Sequence, residues 1–340
     1  MNYQLKRIIN YSLLIINSTA LNAQLKWVNV DSLYQPLPGS VHVFKSTDTL
    51  DGKPNIAYYI IADLKDKRLV FDVDTAHERR LTPTQFFKRC DEHSNNACYF
   101  PLVVVNTTFF SFQTNQNLNV VVKDGKLVGY NIHTIPGKGK DTLTYRHPFG
   151  SAIGITKRRK ADILWTYTDS IQKYPYALHS PFNFIKDSIA KPSLEYIFEK
   201  TSTIRPISGR VEPMGNRWKV KTAIGGGPVL LQNGEIKITN NEELKFAGQA
   251  INDKHPRTAM GYTKDNKLII LVVQGRFPGI AEGATLGQEA QILKDVGCWE
   301  ALNLDGGGSS CMLINGKETI KPSDKEGQRA IPAVFLIRKK

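Results

Sequence analysis

Residues 118–130, LNVVVKDGKLVGY, hold two apolar runs, 118–122 and 127–130, joined by a polar turn in which Gly125 follows Asp124. An Asp-Gly pair between such runs reverses the chain in a tight hairpin, so the two pair antiparallel. Gly234 and Gly316 sit in polar turns of the same kind. Further apolar or β-branched runs occupy residues 56–62, 69–73, 102–106, 229–231, 235–238, 258–262, 268–274, 301–304, 312–314 and 333–337. Few are separated by a helix, whereas a doubly wound parallel sheet needs strand and helix to alternate. Thr82, Pro83 and Gln85 have the form of a capped helix start with Pro in the first turn. Thr285 with Gln288 makes a capping box before the apolar stripe Leu286, Ala290, Leu293 and Val296, and Gly297 closes the helix. The predicted class is α+β, a mostly antiparallel mixed sheet core with a few covering helices. Residues 24–96 are expected as N-terminal strands and a helix packed on the core, with the main domain over 97–340. Within it, 157–221 is basic, rich in Pro and aromatics and without periodicity. It is expected to form a long irregular insertion or lid that turns Tyr167, Tyr174 and Tyr176 toward substrate.

Of the 340 residues, 41% are hydrophobic and 22% charged, which suits a globular protein and excludes a fibrous or disordered chain. Residues 1–23 place Lys6 and Arg7 before an apolar run that ends in small and polar residues at Ala23. Asn10 and Ser12 interrupt that run, and it is too short to span a bilayer, so it reads as a cleaved secretory signal. The expected location is periplasmic or extracellular, with no stable membrane span after cleavage. Close cysteines in an oxidising compartment form bridges. The expected disulfides, among the pairings four cysteines allow, are Cys90 with Cys98 and Cys298 with Cys311. A zinc site lacks the tight Cys and His spacing it needs. The formal net charge of +14 favours anionic partners. Nucleic acid is not expected, because the basic residues are scattered and no recognition motif accompanies them.

Residues 303–310, NLDGGGSS, hold Gly306, Gly307 and Gly308 between two strand runs. Successive glycines cost order, and are tolerated where backbone must approach something closely or where amides cradle an anion. No Lys follows at Walker spacing. A second triplet, Gly225 to Gly227, ends at Pro228, and the two suggest paired rims of one pocket. A Gly-rich turn is the bland alternative for each.

These triplets, with His255, Pro256, Arg257, Thr258, Gly275, Arg276, Thr285, Leu286, Glu289 and Ala290 in order, resemble the motifs of the phosphodiester glycosidase family. The resemblance covers about residues 97–340. It implies hydrolysis of a sugar 1-phosphodiester at the anomeric carbon, as when N-acetylglucosamine is removed to leave a phosphate monoester. The family's Asn-Gly-x-Phe-Phe stands here as residues 106–110, NTTFF, and its Asp-Gly-Arg as residues 274–276, QGR. Asn106 and Arg276 remain, while Thr107 and Gln274 depart.

Cleaving an anomeric bond passes through an oxocarbenium-like state. A departing phosphate is already a stable anion, so charge stabilisation outweighs proton donation. Arg257 and Arg276 suit that task, because a guanidinium holds two phosphate oxygens at once. Asp305 is the first candidate for base or nucleophile, followed by Glu289 and Glu282. Asn106, His255, Thr285, Asn303, Gly306, Gly307, Gly308, Ser309, Gly226 and Gly227 are the candidate substrate contacts. No cofactor is required. Asp305 and nearby carbonyls offer the oxygen ligands that a divalent cation such as calcium takes, but no dense Asp and Asn ladder is present and no metal is assigned. Two other readings fit the same residues. One is a non-catalytic phosphoglycan-binding protein, motivated by Thr107 and Gln274; the other is glycosyl transfer in exopolysaccharide processing.

Overall fold

Alternating side chains along each apolar run need a partner layer on both faces, and the fold supplies three sheets around one core. The computed structural model describes residues 24–89, 100–136, 145–146, 148–168, 173–181 and 216–340. One sheet has eight strands in the order Val28–Asn29, Val41–Ser46, Ala57–Asp63, Lys267–Val273, Arg257–Tyr262, Glu300–Asn303, Val229–Gln232, Glu235–Ile236. A second has seven: Asn216–Arg217, Tyr176–Leu178, Ala161–Tyr167, Gly150–Thr156, Val220–Gly225, Val121–Lys123, Lys126–Gly129. A third has five: Lys317–Glu318, Met312–Ile314, Val103–Asn106, Ala333–Lys339, Leu69–Thr75. Every strand pairing among the described residues is antiparallel, as the hairpin turns require. The α+β class follows.

The strand Lys267–Val273 shows how the layers stack. Leu268, Ile270 and Val272 face a core shared with Ile153 and Trp165 of the second sheet and Phe335 of the third. Ile269, Leu271 and Val273 face the other way, onto Leu286, Ala290 and Leu293 of the helix Leu286–Asp295. Burial on both faces explains its unbroken apolar sequence. Thr285 caps that helix with the predicted box, its hydroxyl accepting from Gln288 N at 3.1 Å. Thr82 caps Pro83–Lys88 in the same way, and Phe86 packs on Val104, Leu313 and Leu336. An N-cap of this type contributes about 1 kcal/mol.

The strands of residues 24–89 belong to the core's own sheets, Ala57–Asp63 pairing directly with Lys267–Val273 in the middle of the eight-stranded sheet. Two expectations change. Part of the stretch expected to be irregular is regular: Ala161–Tyr167, Tyr176–Leu178 and Val220–Gly225 are paired strands. Ala161–Tyr167 is buried on both faces over Ile163–Tyr167, which removes the alternation that would have revealed it. Residues 182–215 of that stretch lie outside the described residues, as does the signal segment 1–23. Cys298 and Cys311 are free and buried in different apolar layers, Cys298 under the helix Leu286–Asp295 and Cys311 beside Phe86. Their short sequence separation does not join them, because strand Glu300–Asn303 carries the chain between sheets. Cys90 and Cys98 lie outside the described residues.

Candidate active site

The ends of four strands drawn from all three sheets meet at the beginning of a fifth. Arg257 opens its strand opposite Val273, so Arg276 lies just past the neighbouring strand's end. On the other side Ala259 pairs with Asn303, and Asp305 follows. Asn106 closes its strand and Gly225 closes another.

Asn106 ties this junction together. Its Nδ2 donates to Asp305 O at 2.6 Å, while its Oδ1 accepts from Thr258 Oγ1 at 2.9 Å and from Cys311 N at 3.1 Å. Asp305 N donates to Thr107 O at 2.9 Å. Asn303 Nδ2 likewise donates to Gly227 O at 2.9 Å. Both asparagines were expected to touch substrate, yet both are buried and hold loops, Asn106 fully enclosed.

The glycines are explained by what lies on them. A side chain at Gly306 would meet Pro256 O at 2.8 Å. Gly307 has φ +61 and carries the Arg276 guanidinium, whose Nη2 would be 3.0 Å from an added Cβ. Gly308 is covered by Arg329 and Asp324, which pair through Nε to Oδ2 at 2.8 Å and Nη2 to Oδ1 at 3.0 Å. Gly226 lies against Asn303 O, and Gly227, at φ +110, against Glu243 and Lys245. The triplets are therefore two faces of one junction. An amide cradle is only partly available, since Gly307 N donates to Pro256 O at 2.8 Å and Ser309 N to Gly306 O at 3.2 Å.

Charge is concentrated here. Burial raises the Asp305 carboxyl to about 7, against hydrogen bonds from Ser309 and the Gly306 amide and the charge of Arg329, all of which lower it. Asp305 thus exchanges its proton near neutrality. Arg276 is exposed, in a left-handed backbone conformation at φ 65 that aims its side chain over Gly307. Arg257 differs from expectation. It is 3% exposed, and its Nε and Nη2 donate to Ala284 O at 2.8 Å and Asp253 O at 3.0 Å, so two backbone carbonyls hold the guanidinium in place beneath the junction, where it contributes a fixed positive field. Glu289 was read as either catalytic or solvated; it is neither exposed nor hydrogen-bonded, and burial lifts it to about 8 against the attraction of Arg257. Held at that value it is mostly protonated at neutral pH, which leaves Asp253 as the carboxylate acting on Arg257. His255 is held below its ordinary value by burial and by the charges of Arg257 and Arg276, so its imidazole gives up its proton more readily than usual. The Glu282 carboxylate faces Lys53 at 3.8 Å rather than the arginines. Thr285 spends its hydroxyl oxygen on the helix cap.

The candidate residues read from the sequence did not include Arg329, Asp324, Lys245 or Phe246. Phe246 stands 6.0 Å from the Phe109 ring and 6.0 Å from the Arg257 guanidinium carbon. No periodicity marks these residues, because they reach the junction from separate loops. A cavity of about 800 Å³ flanks Gly308 through Arg329, Asp324, Arg80 and Phe112. Another of about 240 Å³ flanks Gly227 through Lys245 and Glu243. Among the described residues no group of three or more His, Cys, Asp or Glu is disposed to hold a metal ion.

The model of the phosphodiester glycosidase family matches residues 100–338. The chain belongs to the phosphodiester glycosidase family. N-acetylglucosamine-1-phosphodiester alpha-N-acetylglucosaminidase of Mus musculus is 29% identical over 103 residues, 28% of this chain and 20% of the mouse protein. Its Bos taurus counterpart is 33% identical over 103 residues, 28% of this chain and 19% of that protein. Each match thus spans about a fifth of the curated relative. Among solved structures, the catalytic domain of the zebrafish enzyme, auto-inhibited by its pro-peptide, superimposes with TM-score 0.52 at 22% identity, covering 93% of this chain and 89% of that one. A hypothetical protein from Synechocystis gives TM-score 0.56 at 13% identity, covering 93% and 64%. These likenesses show that the family shares this fold.

Proposed function

We propose that the chain is an exported hydrolase that cleaves a sugar 1-phosphodiester, releasing the sugar and a phosphate monoester. The observation that carries the reading is the exposed Arg276 guanidinium lying on Gly307, two residues from a carboxyl that titrates near neutrality. In this reading Arg276 pairs with the phosphodiester, and the buried Arg257 deepens the positive field behind it. As the anomeric C–O bond breaks, the electron pair leaves with the phosphate oxygen, whose charge the arginines stabilise. Ionised Asp305 takes a proton from the water whose oxygen bonds the anomeric carbon. In this reading His255 contacts substrate through its imidazole. Family membership supports the substrate class, and the signal-like N-terminus supports a periplasmic or extracellular site of action on a phosphorylated exopolysaccharide. Among the described residues no helix is long and apolar enough to cross a membrane.

The test is release of reducing sugar from a methyl phosphodiester of a hexose 1-phosphate. The parent rate is expected to rise with pH through about 7 as Asp305 ionises. Asp305→Asn is expected to lose at least about 100-fold in kcat, and Arg276→Ala to lose kcat/KM. A variant pair as fast as the parent would refute the assignment.

A further inference from the structure

The cavity of about 240 Å³ beside Gly227 is smaller than the roughly 300–1,000 Å³ of sites for drug-sized ligands and suits one sugar ring. Its walls are mainly apolar, from Phe109, Leu118, Ile132, Ile135 and Pro148. Two polar groups in its lining have unfilled hydrogen-bonding capacity. The Lys245 ammonium lies 5.3 Å from the Phe109 ring centroid and has neither a hydrogen-bond acceptor nor an ion pair among the described residues. Asn119 is 3% exposed, and its Oδ1 has no donor. The opposite charge acting on Lys245 is Glu243, whose oxygens already accept several hydrogen bonds. They accept from Ser151 N at 3.3 Å, Ser151 Oγ at 2.7 Å, Trp165 Nε1 at 3.1 Å, Val229 N at 2.9 Å and Thr239 Oγ1 at 2.7 Å. Leu244, just before Lys245, is in the left-handed region at φ 52, a conformation a leucine rarely takes and one that fixes the chain's direction there. Burial pulls the ammonium below its ordinary value, with Glu243 opposing that effect.

A half-buried ammonium with no hydrogen-bond acceptor, set in a mainly apolar lining, favours an anionic acceptor. An unfilled amide oxygen beside it asks for a hydroxyl donor. A sugar bearing a carboxylate offers both from one ring, while apolar walls take its C–H faces. We propose that this cavity is the sugar subsite of the diester site and selects a carboxylated hexose, with Lys245 as counter-ion of the carboxylate and Asn119 as acceptor for a ring hydroxyl. The assignment rests on reading the junction as a glycosyl phosphodiester site.

Calorimetry with methyl glycosides tests it without requiring any diester chemistry. Methyl α-glucuronoside is expected to bind at least about tenfold more tightly than methyl α-glucoside, with the 2-acetamido glycoside no better than the glucoside. Lys245→Met is expected to abolish that preference, with far-UV circular dichroism of the free variant showing whether the fold is kept. The idea is overturned by equal affinities, by preference for the acetamido sugar, by no detectable glucuronoside binding at millimolar concentration, or by a preference that survives in Lys245→Met. The ranking on the parent decides even if the variant fails to fold. A chain inert toward diesters but selective for the glucuronoside would sink the proposed hydrolysis alone, and an active but indifferent chain would sink only this inference.

Discussion

Glu289→Gln isolates the energetic oddity of the junction, a buried carboxyl whose two oxygens have no partner. In the folded protein it keeps its proton up to about 8, against a reference value of 4.5 in the unfolded chain. Between those values the folded state holds the extra proton, so raising the pH favours unfolding. The penalty is absent at pH 4, grows from about pH 4.5 and stops growing above about pH 8. Each pH unit crossed costs about 1.4 kcal/mol, so about 3 kcal/mol has accrued by pH 7. That is a large fraction of the roughly 5–15 kcal/mol that holds a domain together. Glutamine keeps the shape and cannot ionise, so the variant is spared this cost. Urea denaturation of parent and variant at pH 4 and pH 7 reads the effect. The variant is expected to gain about 3 kcal/mol on the parent between the two conditions. If the two proteins instead shift in parallel, Glu289 is ionised in the fold, and the picture of it as a protonated neighbour of Arg257 is wrong.

Two further outcomes follow from packing. Gly308→Ala places a methyl where the Arg329–Asp324 pair lies, so the pair must part; diester turnover is expected to fall at least about tenfold, with a stability loss of about 1–3 kcal/mol. An unchanged rate and melting temperature would show that the pair moves freely. Alkylation of denatured, unreduced protein followed by peptide mass analysis is expected to label both Cys298 and Cys311. A peptide pair linked through those two sulfurs would restore the bridge that their spacing suggested.

Much of the sheet was legible because hairpin turns and two-residue alternation are local signals. The turn at Gly125, the strand Met312–Ile314 and both capping boxes needed only a few neighbours to be read. Gly150–Thr156 and Ala161–Tyr167 escaped, since strands buried on both faces do not alternate and resemble any apolar or mixed run. At the site, the motifs located the junction but misjudged which atoms are free. Arg257 and Arg276 look equivalent in sequence. Only the fold gives Arg257 two carbonyl acceptors and leaves Arg276 exposed over Gly307.

The amino-acid order alone settled the antiparallel class and the positions of the two capped helices, because each depends on contacts within a few positions along the chain. Tertiary structure alone decided that Cys298 and Cys311 part, that Asn106 ties loops together, that Glu289 holds its proton and that Lys245 lines a cavity. Those outcomes are set by burial and by partners far away in sequence, and neither desolvation nor a distant hydrogen bond leaves a mark on local pattern.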